Sequence, residues 1–162
     1  MGLIRDRRLV DLERLYRSRH RHFVDVARAI TGDSERAAEA VQDGFADAIR
    51  SRRSFRGDGP LEAWVWRAVV NAARKAARRP SIELAAIDSD ELAAPVAVAE
   101  MAPFVAALPE RQRLIVFLRY YADLDYRSIA AALEVEVGTV SATLAAAHRS
   151  IRRALEEVQV DA

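Results

Sequence analysis

The chain contains no cysteine. Disulfide staples, thiol nucleophiles and the usual structural zinc sites are therefore excluded. No apolar run approaches the ~18 residues needed to cross a bilayer. Residues 1–8 lead into a charged helical pattern and not into an apolar leader. A cytoplasmic protein with no membrane insertion is expected. The sequence also lacks a glycine-rich phosphate loop, a nucleophile elbow and a metal-spaced His/Glu set. His20 and His22 are two positions apart, so a helix points them to different sides, and His148 stands alone. The expectation is a protein that is not an enzyme, with no catalytic residues, metal, cofactor or small-molecule substrate. No segment shows sustained strand alternation, and no internal repeat is visible.

What is present is helix-forming and unevenly charged. The 162 residues are 51% hydrophobic, enough for a core, and the formal net charge is +1. That near-neutral total hides three blocks. Residues 1–80 carry a net +7, residues 81–103 a net −5 and residues 104–162 a net −1. Two domains with a connector are implied. Of the 25 basic residues only Lys75 is lysine. Arginine forks onto phosphates and stacks on bases, although GC-rich coding also favours it.

The apolar periodicity predicts helices throughout. Leu9, Leu12, Leu15, Tyr16, Phe23, Val26, Ala27 and Ile30 mark a first helix over about residues 8–30, ended by Thr31-Gly32. Asp33 or Ser34 caps a second helix, with Val41, Phe45, Ala48 and Ile49 on its apolar stripe. A basic loop over residues 51–59 follows. Pro60 opens a third helix to about residue 79, stopped by Pro80. Residues 81–103, rich in alanine and acids with Pro95 and Pro103 as breakers, read as a flexible linker. Pro109 opens a helix to about residue 121, and Asp125 caps a short one to residue 133. A last helix starts near Thr139 and reaches about residue 158. The expected fold is all-α: two small helical domains, residues 1–80 and 104–162, on either side of an acidic linker.

The third helix has two chemically distinct sides. At about 100° per residue, Arg67, Asn71, Arg74, Lys75 and Arg78 fall together beside Trp64. Val65, Val69, Ala72, Ala73 and Ala76 fall opposite. Cations that hold phosphates, an amide that reads a base edge and an indole that stacks on an unpaired base form a nucleic-acid-binding set. The same spacing is compatible with a solvated basic face and Trp64 in the core. On the second helix, Glu39, Gln42 and Asp43 form a polar strip beside Phe45 that could dock a partner helix or be solvated. The last two helices read as a helix-turn-helix or another helical hairpin, with Val135 and Val137 plugging the turn.

Taken in order, these segments resemble the extracytoplasmic-function (ECF) sigma factors of bacterial RNA polymerase. Ala37-Ala38-Glu39-Ala40-Val41-Gln42-Asp43-Gly44-Phe45 is similar to the family's A-x-D-x-V-Q-E-x-F stretch. Phe55-Arg56-Gly57, then Ala63-Trp64-Val65-Trp66-Arg67-Ala68-Val69-Val70-Asn71, resembles F-R-G followed by W-L-Y-R-I-A-R-N. Leu108-Pro109-Glu110-Arg111-Gln112-Arg113 resembles the L-P-x-x-x-R opening of the second domain. Tyr126-Arg127-Ser128-Ile129-Ala130 and Gly138-Thr139-Val140 resemble S-Y-x-E-I-A and G-T-V.

The resemblance implies an alternative sigma factor that binds core polymerase, recognises promoters and promotes melting. By it, Glu39, Gln42, Asp43 and Phe45 dock on the β′ clamp helices. Phe55, Arg56, Trp64, Arg67, Asn71, Arg74, Lys75 and Arg78 engage the −10 element, with Asn71 near a flipped-out base. Arg127, Thr139, Ser141, Thr143 and Arg149 contact the −35 element, and the preceding helix packs on the β flap. An anti-sigma protein is implied as a further partner. The acidic linker is implied to thread toward the active-site cleft as a nucleic-acid mimic.

Two departures from the family pattern have physical consequences. Its recognition helix reads T-V-K-S-R-L-x-R-A-R, whereas here Ser141, Thr143, Ala146 and His148 stand in place of the cations. Weaker and less salt-sensitive −35 binding is expected. That depletion leaves open a sigma-like regulator or decoy that binds polymerase without initiating. A stand-alone helix-turn-helix repressor is a third reading, disfavoured by the net −1 of its domain. Glu134 stands where the family turn often has glycine, and a left-handed backbone there costs about 1 kcal/mol.

Overall fold

In the computed structural model, residues 6–79, 101 and 103–160 are described. Helix α1 spans Arg7–Thr31. The Asp6 side chain accepts from the Arg8 amide at its start, and Gly32 ends it with φ 70°, returning its amide to the Arg28 carbonyl. That left-handed position suits glycine, which has no Cβ to clash. Asp33 then caps α2, Ser34–Ser51, accepting from the Arg36 amide at 2.7 Å. A short 3-10 turn, Arg52–Ser54, leads into the loop before α3, Leu61–Ala77. Pro60 stands at the N-cap of α3, one residue ahead of the first turn where the sequence places it.

The three helices close around aromatic rings. Phe23 of α1 lies 4.1 Å from the Trp66 ring of α3 and 5.0 Å, edge-on, from Phe45 of α2. Tyr16 meets Phe45 edge-on at 4.9 Å. Trp66, Phe23, Val41, Val65, Val69 and Val70 are all fully buried. Ile49, expected on the apolar stripe of α2, is instead 38% exposed near the helix end.

One close approach sets the α2–α3 crossing. A Cβ built on Gly44 would stand 2.7 Å from Val69 Cα and 2.8 Å from Val69 N. Both are backbone atoms, so no rotamer change relieves the clash. Gly44→Ala improves helix propensity by about 1 kcal/mol, but overpacking against backbone costs about 1–3 kcal/mol. A net destabilisation is therefore expected in urea unfolding. Unchanged or increased stability would refute this close packing.

The second domain begins sooner than expected. Residues 103–106 are helical, so Pro103 opens a turn that the sequence reading assigns to a breaker. Apart from residue 101, the rest of the predicted linker, and Pro80, lie outside the described residues. Helix α4, Glu110–Val116, follows Pro109 and widens into a π-helical turn, Phe117–Tyr121. Asp125 caps α5, Tyr126–Leu133, by accepting from the Ser128 amide at 2.7 Å. That bond holds its carboxyl below the ordinary value. Helix α6 spans Val137–Val160, starting two residues before the position read from sequence.

Helices α5 and α6 turn by 104°, within the range of a helix-turn-helix. Ile129, Ala132, Val140, Leu144 and Ala147 are buried in one cluster with Leu114, Ile115 and Leu118, and α6 packs on both α4 and α5. Val135 packs against this core from the turn, but Val137 is 42% exposed and does not plug it. Glu134 has φ 55° and ψ 47°, and its amide reaches the Ala130 carbonyl. The turn therefore does adopt the left-handed backbone, at a cost of about 1 kcal/mol relative to glycine.

The two domains pack against each other, and their buried residues form one continuous cluster. Helix α5 lies against α3, and α1 lies against α4 and the π turn.

Candidate nucleic-acid interface

Helix α3 separates its chemistry as the wheel predicts. Val65, Val69, Ala73 and Ala76 are buried and Ala72 half-buried. Arg67, Asn71, Lys75 and Arg78 are exposed, while Arg74 is half-buried. Trp64 is not a core residue. It is half-buried and meets Phe55 of the preceding loop at 5.4 Å, with the rings tilted by 45°. Arg56 is exposed beside this pair in sequence. The core indole is Trp66, to which the sequence reading assigns no separate role. It lies about 200° around the helix from Trp64, so the two tryptophans serve opposite sides of one helix.

The resulting surface combines an aromatic ledge with an amide and several cations. An unstacked base can lie on such a ledge while guanidinium and ammonium groups hold its phosphates. One cation of the set is already engaged: Arg67 Nη2 lies 2.5 Å from Glu134 Oε1 in the turn of the second domain.

On α2, Glu39, Gln42 and Asp43 are exposed, and Glu39 is 3.8 Å from Arg79. Phe45 is only 5% exposed. It supports the strip from below and forms no part of its surface, because its ring is held between Tyr16 and Phe23.

On the helix-turn-helix, Arg127, Ser141 and Arg149 are exposed. Thr139 and Thr143 are half-buried, and the Thr143 hydroxyl donates to the Thr139 carbonyl at 2.7 Å. That leaves the Thr143 hydroxyl less available for a base edge. His148 is exposed and shares a 2.8 Å hydrogen bond with the Tyr120 hydroxyl. The cations of α6, Arg149, Arg152 and Arg153, all fall in its C-terminal half.

A second polar contact joins the domains: the Tyr121 hydroxyl donates to the Asp25 carboxylate, and His22 packs on the Tyr121 ring at 5.4 Å. Burial, reinforced by Asp25, pushes the Tyr121 phenol up to about 12. The folded value lies above the ordinary 10.0, so the neutral phenol is favoured. Its stabilising contribution is complete below that ordinary value and is lost as pH rises through the folded one. In a tyrosinate absorbance titration, Tyr121 should ionise above the ordinary phenol value. Tyr121→Phe should remove that high-pH step. Retention of the step in the variant would refute the assignment.

Among the described residues, no three His, Cys, Asp or Glu side chains gather as a metal site. No single described helix is long and apolar enough to cross a membrane.

Comparison with known proteins follows the same division. Residues 15–81 match Sigma-70 region 2 and residues 104–157 match Sigma-70, region 4. The ECF RNA polymerase sigma-E factor of Escherichia coli (strain K12) is 29% identical, with 70% of each chain covered. The RNA polymerase sigma-H factor of Pseudomonas aeruginosa is 26% identical, covering 76% of this chain and 75% of the relative. Among solved structures, RpoE in complex with the anti-sigma factor NepR from Bartonella quintana superposes with a TM-score of 0.69 at 20% identity, covering 90% of this chain and 97% of that one. CnrH in complex with the cytosolic domain of CnrY also gives 0.69, at 21% identity, covering 90% and 88%.

Two sigma-70 regions in this order on one all-helical chain define a sigma factor. The chain belongs to the ECF group and is an alternative sigma factor for transcription initiation.

Proposed function

We propose that this sigma factor docks on the β′ clamp helices of core polymerase through Glu39, Gln42 and Asp43 and captures the −10 element on α3. The surface beginning at Phe55 and Arg56 would take the non-template strand. Trp64 would support an extruded base, Asn71 would read it, and Arg67, Arg74, Lys75 and Arg78 would hold the backbone. Unstacking costs a few kcal/mol, and a base pocket offsets it only for a fitting sequence. The observation that carries this reading is the Trp64–Phe55 pair on the same side of α3 as exposed Asn71, Lys75 and Arg78.

Residues 1–80 form the polymerase and −10 module, 81–103 the acidic linker and 104–162 the −35 and flap module. Arg127, Ser141 and Arg149 would carry most of the −35 contact, with Thr139 and Thr143 contributing less. No catalytic step is assigned to this chain, and its site of action is cytoplasmic, where polymerase is. An anti-sigma partner fits the two structural neighbours, which are bound to the anti-sigma factor NepR and to the cytosolic domain of CnrY.

The test is transcription in vitro with core polymerase, the purified chain and pooled genomic fragments. Discrete start sites sharing upstream −10 sequences are expected, with a weak or degenerate −35 element. Retained core binding without start sites would favour the decoy reading, which the absence of cations from the first half of α6 also motivates.

A further inference from the structure

We infer that Glu134 is an anionic latch that holds the free chain closed, with the second domain seated on the flank of the −10 surface. This inference rests on the assignment of α3 to nucleic acid.

Four observations converge. Glu134 occupies a left-handed backbone position at φ 55°, where glycine would be less strained. Its carboxylate reaches Arg67, a cation of the nucleic-acid strip, at 2.5 Å. It therefore stands where a backbone phosphate would bind. Ala63 and Val70, which share the Arg67 side of α3, are buried, and α5 is a helix packed on α3. Tyr121 of the second domain also donates to Asp25 of α1. Strand capture and closure thus compete for one flank of α3.

The closure is selective. Glu39, Gln42 and Asp43 on α2 stay exposed, as do Ser141 and Arg149 on α6. The closed chain engages Arg67 on the −10 flank while leaving Asn71, Lys75, Arg78 and the proposed polymerase strip exposed. Recruitment to core can then precede opening, and the free factor holds unpaired DNA less tightly while Arg67 is engaged.

Glu134 and Arg67 are 55% and 47% exposed, so salt screens the pair and its individual effect is modest. The native absence of cysteine permits clean labelling. Donor and acceptor dyes placed through Asp47→Cys and Arg153→Cys, both exposed positions, report the interdomain distance in the full chain. Glu134→Gln removes the charge and keeps the backbone strain. Glu134→Gly removes both.

At low salt the unsubstituted chain should populate the short distance, and added salt should shift it outward. Both Glu134 variants should raise the open fraction about two- to five-fold and blunt the salt response. Affinity for a fluorescent random-sequence DNA single strand should rise in parallel. Glu134→Gly should also unfold at higher urea, a combination of greater stability with greater opening that a merely structural glutamate would not give. Distances unchanged in both variants, or a salt-insensitive native distance, would overturn the latch. Shifted distances with unchanged strand affinity would overturn the competition for Arg67. The distance measurement uses neither polymerase nor DNA, so it stands apart from failure of the promoter assignment.

Discussion

Trp66→Ala is expected to unfold the first domain under conditions where the unsubstituted chain is stable. The indole is fully buried and stacked 4.1 Å from Phe23. Phe23 in turn braces Phe45, so one deletion loosens α1, α2 and α3 together. Truncating a buried tryptophan costs about 3–5 kcal/mol, and a whole small domain has about 5–15 kcal/mol in reserve. The Trp66 Nε1–Glu62 contact, 3.4 Å long, adds little. Circular dichroism melts compare this variant with Trp64→Ala, whose ring is only half-buried. Trp64→Ala should cost clearly less. Equal losses would mean that the two indoles do not have the separate placements described.

The second large effect concerns function and falls on the other side of the same helix. Asn71→Ala and Trp64→Ala should each lower promoter-dependent transcription about ten- to a hundred-fold, because one base-stacking or base-edge contact contributes about 1–3 kcal/mol. Affinity for core polymerase should stay unchanged, since Glu39, Gln42 and Asp43 project from α2. Multi-round transcription and a core-binding titration read the two separately. Permanganate reactivity of unpaired thymines should fall with the transcription signal. Wild-type initiation by either variant would remove that residue from the −10 surface, and loss of core binding would instead indicate misfolding.

The candidate surface was legible where its pattern is local. The wheel separates Asn71, Lys75 and Arg78 from Val65, Val69 and Ala73, because helix period and side-chain polarity are properties of neighbouring residues. The caps at Asp33 and Asp125 were visible for the same reason: each accepts an amide proton only three positions ahead. Phe45 illustrates both sides. The sequence places it on the apolar stripe of α2, but only the fold shows its ring held between Tyr16 and Phe23 and so withdrawn from the polar strip. The sequence reading gives Trp66 no role, although about 200° from Trp64 it falls on the apolar side of the wheel. Its place against Phe23 at the centre of the core comes from the fold.

The distinction extends to the whole protein. Periodicity, caps, breakers and ordered motifs, all short-range features, determined an all-α chain with two helical domains and a sigma-like order of segments. The resemblance to a family whose turn often has glycine raises a left-handed backbone at Glu134, and the fold shows it. Tertiary structure decided which aromatic rings are core and which form a ledge, and that Gly44 must lie against the Val69 backbone. It also decided that Glu134 meets Arg67 and Tyr121 meets Asp25. Those pairs join residues distant in the chain, and they exist only once two independently patterned domains have buried their flanks against each other.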